Sequence, residues 1–365
     1  MQGMLNRERL YRSLTTLDIF VDKSLHLTPK SAALSGFNYN KDLLKASMAN
    51  TYLETVGNRA DSIHLAVKSV NPSDIYWTYL KTLHTMLPRT CFQEHDAVMA
   101  FDHTDEEFYG SVETAWIHNW TGEHAVTGKF KFLTCALVGR DVPEKVPLLS
   151  IPVHVGYSNP ADVSFMLELV RPLFRSIRLA LFDRGFYNNE LMLTLSNSNV
   201  PYLIFVPKNG PVKGALAPMR SGDMRTVEHE FRVNRDKTVL KGETTYALLR
   251  QIYERRLDRC IDWSFATNRQ EIDLGDIVST YRQRWNIENA FRMQDEAAIR
   301  SKSKEVSIRF FYFAYGQLLQ LIWSVFYREE VSFKGMLIAL SDTCTERVER
   351  AEGKAAGKRS KADGI

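Results

Sequence analysis

The run from Arg178 to Phe182 is apolar at almost every position and stops abruptly at Asp183, as a strand buried on both faces does. A strand of that kind needs covering elements on both sides, so the chain belongs among the α/β folds rather than the sandwiches or bundles. The pattern around it agrees. Ala97 to Tyr109, Val126 to Val138 and Val146 to Val155 are β-rich runs parted by turn-forming residues and read as a three-stranded meander. A helix is expected at about Ala161 to Ile177, then the buried strand, then a helix Glu190 to Leu195 capped by Asn188, then a second buried strand at Pro201 to Val206.

The remainder falls into recognisable stretches. From Asn6 to about Arg89 apolar residues recur every three or four positions, with a cap at Ser73-Asp74, which predicts a small helical unit. After Pro207 the composition turns polar until about Cys260. The β-like pieces Val227 to Val233, Thr238 to Leu240 and Thr244 to Leu249 suggest a mostly β insertion there. Ile261 to Asn268 alternates like a strand returning to the main sheet, Asp276 to about Ile299 reads as a helix, and Ile308 to Tyr327 as a buried helix. From Glu346 on, the chain lacks apolar periodicity and reads as a disordered or weakly helical tail. The division expected is 1–95 helical, 96–206 and 261–328 catalytic core, 207–260 β insertion, and 329–365 a C-terminal extension.

Composition permits this and excludes other classes. With 44% hydrophobic and 25% charged among 365 residues the chain can bury a real core, and the formal net charge of +4 is too small to argue for nucleic acid by itself. The N-terminus lacks the apolar stretch of a signal peptide and no segment reaches a membrane span, so a cytoplasmic protein with no membrane partner is expected. The four cysteines are scattered without a C-x-x-C pair and read as reduced thiols. Cys91 and His95 have a zinc-compatible spacing, yet no matching second pair follows and ordinary packing is favoured.

Three carboxylates stand at informative places. Asp102 follows the apolar run Ala97 to Phe101, Asp183 follows Leu179 to Phe182, and Glu288 lies on the late helix in Tyr281-Arg-Gln-Arg-Trp-Asn-Ile-Glu288. Brought together, they form a donor set for hard divalent cations and point to phosphodiester chemistry. Tyr281 and Arg284 share one helical stripe with Glu288. Asp105 is three residues from Asp102, so in a continuing strand only one of the two faces the site, and Asp102 is preferred. Arg184 and Gly185 are expected to turn the chain after Asp183, with Gly185 supplying a positive φ and Arg184 serving either a salt bridge or a phosphate.

The order strand-strand-strand-helix-strand-helix-strand, with acids on the first strand, after the fourth and on a late helix, is the ribonuclease H-like arrangement. The segments Phe101-Asp-His-Thr-Asp-Glu-Glu-Phe-Tyr-Gly110, Leu181-Phe-Asp-Arg-Gly-Phe-Tyr187 and Tyr281 to Arg292 resemble the DDE transposases of prokaryotic insertion sequences. The likeness is to the group with a Tyr-Arg-Glu signature and a β insertion before the Glu, its archaeal members above all, and it runs from about Asp96 to Tyr327. The resemblance implies a mixed sheet flanked by helices, with Asp102, Asp183 and Glu288 as the catalytic, metal-binding triad for two divalent cations, Mg2+ or Mn2+. It implies DNA contacts from Tyr281 and Arg284, with Arg184, Arg292, Lys208 and Lys213 as further candidates. The implied partners are terminal inverted repeats and target DNA, bound by a homodimer associated with the nucleoid.

One position departs from the pattern: Asp295 stands where a basic residue is often found, which leaves room for a contact shifted to Arg292, a different subgroup or a weakened enzyme. In relatives an insertion aromatic stacks on a flipped base, which singles out Trp263 and Tyr253. Trp263 shares its strand face with Ile261 and Phe265 and reads as core, as do Trp285 and Trp323. Lys208 to Lys213 reads as a basic loop. A ribonuclease H-like nuclease or resolvase without strand transfer, and an inactive DNA-binding relative, are the alternatives.

Overall fold

The computed structural model describes residues 5–27, 35–87, 96–111, 113–120, 125–139, 146–235, 238–255, 258–269 and 271–362, with side chains to 353. The Cys91–His95 pair lies outside the described residues. Four helices come first: α1 (Arg7–Ser24), α2 (Gly36–Ala49), α3 (Ala60–Lys68) and α4 (Pro72–Met86). Asn6 caps α1 by accepting from the Arg9 amide. The α4 start corrects the sequence reading: the cap is Asn71, in a reciprocal box with Asp74, and Pro72 occupies the first turn. Gly36 is required where α2 meets α1, since a Cβ there would lie 2.4 Å from the Asp18 carbonyl oxygen.

The sheet strands are β1 (Asp96–Phe108), β2 (Ile117–Asn119), β3 (Gly128–Leu137), β4 (Val146–Pro152), β5 (Ser176–Phe182), β6 (Tyr202–Phe205), β7 (Met224–Arg235), β8 (Thr238–Glu254) and β9 (Arg259–Thr267). β1, β3 and β4 form the antiparallel meander, while β5 pairs parallel with β1 and β6 parallel with β5. The order β4-β3-β1-β5-β6 is the ribonuclease H-like core of the sheet. The helices α5 (Asn159–Val170) and α6 (Asn189–Asn197) are the crossovers that parallel pairing requires. Asn188 caps α6 through the Glu190 and Leu191 amides, as expected. α5 stops at Val170 and a 3-10 turn at Arg171–Leu173 fills part of the longer helix expected there.

The polar stretch after Pro207 builds more than scattered β pieces. β7, β8 and β9 pair antiparallel in succession, and β9 adds to the free edge of β6, so one sheet runs from β2 to β7. The basic loop expected at Lys208 to Lys213 is a helix, α7 (Gly210–Leu216), because Asn209 accepts from the Val212 amide and Pro211 suits a first helical turn.

The late helix is broken. α8 (Ile277–Arg282) and α9 (Asn286–Asp295) are joined by a 3-10 turn, Gln283–Trp285. α10 (Val306–Phe326) is buried along nearly its whole length and packs on α4, α3, α9 and β4. Two of its buried polar groups are matched inside: Gln317 donates to Ser150 Oγ at 2.9 Å and Tyr315 to Asn40 Oδ1 at 2.8 Å. No helix among the described residues is long and apolar enough to cross a membrane. Of the two readings of the tail from Glu346, disordered or weakly helical, the structure has the helix: α11 (Phe333–Ala362) continues well past Glu346. Met336, Leu337, Leu340, Cys344 and Val348 bury one stripe of it, and Arg347 pairs with Asp18 of α1 at 2.8 Å. The N-terminal helices, α10 and the meander share one continuous apolar core.

Candidate active site

Register decides where the two aspartates lie. The last residues paired between β1 and β5 are Phe101 and Phe182, both fully buried, with rings stacked at 5.0 Å on the face carrying the larger core. Side chains alternate along a strand, so the next residues, Asp102 and Asp183, both turn to the opposite face. That face carries Ala100 and Leu181 and is covered by Tyr281 and Ile287 of the broken helix. Two apolar runs ending in register thus set two carboxylates side by side. β1 itself continues to Phe108, so Asp102 is not at its end; only its parallel pairing stops there.

Glu288 lies in the first turn of α9, and Arg284 in the 3-10 turn before it. The Arg284 guanidinium donates to Asp102 Oδ2 at 2.8 Å and to Glu288 Oε1 at 3.0 Å. It is 5% exposed, while the Glu288 side chain is 44% exposed, so the cluster meets solvent at its glutamate side. Asp102 Oδ1 accepts from the His103 amide at 2.9 Å, and Asp183 caps a 3-10 turn, Arg184–Phe186, by accepting from the Arg184 amide at 2.6 Å. Burial pushes the Asp102 carboxyl up to about 6; Arg284 and the His103 amide oppose the rise, and the charges of Asp183 and Glu288 add to it. Burial works against the Arg284 charge, yet Tyr281 and the three carboxylates hold its pKa above the usual value.

The expected residues are therefore distributed unevenly. Asp102, Asp183, Glu288, Arg284 and Tyr281 come together. Tyr281 is the floor: 3% exposed, it packs its ring against Phe265 at 5.0 Å and Phe205 at 5.8 Å, beneath the Arg284 guanidinium. Trp263 completes that aromatic cluster and is core, as read; Tyr253 is exposed and donates to Asp258. Arg184 and Arg292 are exposed beside Asp183 and one turn beyond Glu288. Lys208 follows β6 at the same end of the sheet and pairs with Asp262 at 2.9 Å, while Lys213 is exposed on α7. Asp295 is exposed at the end of α9. Asp105 turns away toward Lys129, at 3.9 Å. Gly185 sits inside the 3-10 turn and is not among the positive-φ residues, so the conformational reason expected for it does not apply.

Two features escaped the sequence reading. His103 stacks on Phe186 at 4.9 Å, tying the β1 aspartate's neighbour to the turn after Asp183; burial lowers its pKa to about 4, which keeps the ring neutral. Arg300, Lys302 and Lys304 form an exposed row on an extended segment. That segment is pinned by the Arg300 amide on Thr51 O at 3.0 Å and by Arg309 Nε on Ser303 O at 2.8 Å. None of the three cations has a carboxylate partner among the described residues. The alternating Arg-Ser-Lys-Ser-Lys was the available signal.

The donor set has the chemistry of a hard-cation site, but its present arrangement does not fit one. Among the described residues no three His, Cys, Asp or Glu groups are placed to hold a metal ion. Two of the three carboxylates are engaged by Arg284 instead.

Comparison with known proteins bears on this geometry. Residues 147–316 match the family model described as Transposase DDE domain, a span that takes in Asp183, Tyr281, Arg284 and Glu288 and begins beyond Asp102. No curated protein matches the chain. Among solved structures, the cryo-EM structure of a piggyBac transposase synaptic complex with hairpin DNA is similar, at 11% identity and a TM-score of 0.59, over 95% of this chain and 83% of that one. The structural likeness carries the fold, and the sequence match over 147–316 supports a DDE transposase.

Proposed function

We propose that this protein is the DNA transposase of a prokaryotic insertion sequence. It cuts at terminal inverted repeats and joins the freed 3′-hydroxyl ends to target DNA, acting as a homodimer in the cytoplasm, on the nucleoid. The observation that carries the reading is the register Phe101 to Phe182, which sets Asp102 beside Asp183 under a helix bearing Glu288. Two divalent cations, Mg2+ or Mn2+, are the proposed cofactors. Within the site, Asp102, Asp183 and Glu288 form the acidic triad, and Tyr281 supports Arg284, whose planar fork suits a phosphate. The segment 1–95 is proposed to bind the DNA end.

The test is a strand-transfer assay with the full chain, end-containing DNA and Mg2+. Joined products dependent on the inverted-repeat end are expected; cutting without joining would favour a nuclease or resolvase, and neither would leave an inactive relative.

The DNA path is proposed to run past Arg184 and Arg292 and along Arg300, Lys302 and Lys304, with Lys208 and Lys213 on the insertion side. Binding affinity falls with salt roughly in proportion to the number of phosphates neutralised. Replacing Arg300, Lys302 and Lys304 together by Gln should make the slope of log affinity against log salt shallower by about 2 to 3. An unchanged slope would remove that row from the path.

A further inference from the structure

We infer that Arg309 is the positioning residue of the cationic row: its buried guanidinium ties the segment of Arg300, Lys302 and Lys304 to β1 and so fixes its distance from Asp102. The inference rests on reading that row as part of the DNA path. Beyond a bridge from Arg300 to Tyr52 the segment has no regular secondary structure, and its three cations are exposed while Ser301 and Ser303 between them are half-buried. Residues i and i+2 of an extended chain stand roughly 6.6 Å apart, close to two phosphate steps of about 3.4 Å along one DNA strand. Such a spacing lasts only where the segment is held from outside.

The hold comes from two sides. At the start of the row the N-terminal helical unit supplies it: the Arg300 amide donates to Thr51 O at 3.0 Å, and Lys302 Nζ lies 5.3 Å from the centre of the Tyr52 ring. Toward its end the hold is Arg309. Its Nε donates to Ser303 O at 2.8 Å, while Nη1 donates to Glu107 O at 3.1 Å and to Glu106 Oε2 at 3.3 Å. The Phe130 ring lies 5.0 Å from the guanidinium carbon. One side chain thus grips the backbone of the row with one nitrogen and β1 with another. Because β1 runs unbroken through both positions, Glu106 stands roughly 13 Å along the strand from Asp102, the length of about four nucleotides. Helix α10 gives no reason of its own for an arginine here. Arg309 lies in its first turn, where the helix dipole disfavours a cation, and is 6% exposed, where a charge needs a partner. A buried ion pair adds little net stability over apolar groups of the same size. What the planar fork adds is direction, since it binds two separate segments at once.

The test is the salt dependence of binding of the full chain to a short duplex of mixed sequence, in EDTA so that no cutting intervenes. Wild type is compared with the triple Gln variant of the row, with Arg309→Met, with Arg309→Lys, and with Arg309→Met combined with the triple. Positioning predicts that Arg309→Met alone makes the slope of log affinity against log salt shallower by about 1 to 2, although the buried Arg309 faces no phosphate. Added to the triple it should change nothing further, because both act through one element. Arg309→Lys, which keeps the charge but not the fork, should fall between Arg309→Met and wild type. Glu106→Gln together with Arg309→Met removes both charges at once and guards against a buried unpaired carboxylate. Its slope should match that of Arg309→Met, at a melting temperature nearer that of wild type. A wild-type slope in the Arg309 variants, with the triple still shallower, would overturn the positioning role and leave the row on the DNA path. So would decreases that simply add when the changes are combined. A wild-type slope in the triple itself would remove the row from the path and the inference with it.

Discussion

Asp183→Asn is expected to reduce cleavage of end-containing DNA by at least about 10^3-fold while leaving the fold intact. Asp183 stands at the end of β5 and, unlike Asp102 and Glu288, is not bonded to Arg284, so its carboxylate can be changed without breaking either contact of that guanidinium. Removing one charged oxygen donor from a site that stabilises a phosphoryl transition state costs several kcal/mol of barrier, and each 1.4 kcal/mol is about a factor of ten. The structural cost is small for a definite reason. The Asp183 side chain accepts from the Arg184 amide, and Asn accepts there equally well, so the 3-10 turn keeps its cap. Removing one of three neighbouring negative charges also relieves repulsion. Cleavage rate in Mg2+ and the melting temperature, measured on the same preparation, check both halves; full activity in the Asp183→Asn enzyme would dismiss the triad.

The largest loss of stability is expected from Phe101→Ala. The ring is fully buried, stacks on Phe182 within 13° of parallel, and belongs to the core that also binds the N-terminal helices. A buried Phe→Ala exchange costs about 3–5 kcal/mol through lost transfer and the cavity left behind. Denaturant unfolding should show this as a lower midpoint, and Phe101→Leu should recover much of it. Function should suffer beyond stability. The stacked pair fixes the step from which Asp102 and Asp183 turn to the other face, and misplacement of about 1 Å in such a site costs about 10^2-fold. A cost below about 1 kcal/mol would show that the register is held by something other than the stack.

Much of this was legible because local chemistry and global fold agree. The all-apolar run before Asp183 announced a doubly covered strand, the meander announced itself by alternation and turns, and the Asn188 cap was read correctly. The two aspartates were found because each follows an apolar run; that they are neighbours depends on the pairing of β1 with β5, which no local pattern encodes. The stripe of Tyr281, Arg284 and Glu288 was visible, but its meaning was not. An i,i+4 pair from Arg284 to Glu288 follows from spacing, whereas the bond to Asp102 joins residues 182 positions apart and required the fold. Gly210-Pro-Val-Lys213 resembled a turn because glycine and proline break helices in the middle; at the start of α7 the proline fits instead. The sequence left the C-terminal segment open between disorder and weak helix because the apolar stripe of α11, Met336 to Val348, ends before its helix does.

The excursion between β6 and β9 is an insertion only along the chain. In the sheet it is a continuation, since β9 closes the edge that β6 would otherwise present, and β8 and β7 then carry that edge outward to charged, solvent-facing residues such as Arg225, Glu228 and Arg232. Excising the outer hairpin would strand β9 as a bare, sticky border whose inner positions, Trp263, Phe265 and Ala266, are apolar. Tailoring of this region is thereby confined to length and to the outermost strand: the sheet tolerates a longer awning, but not its removal.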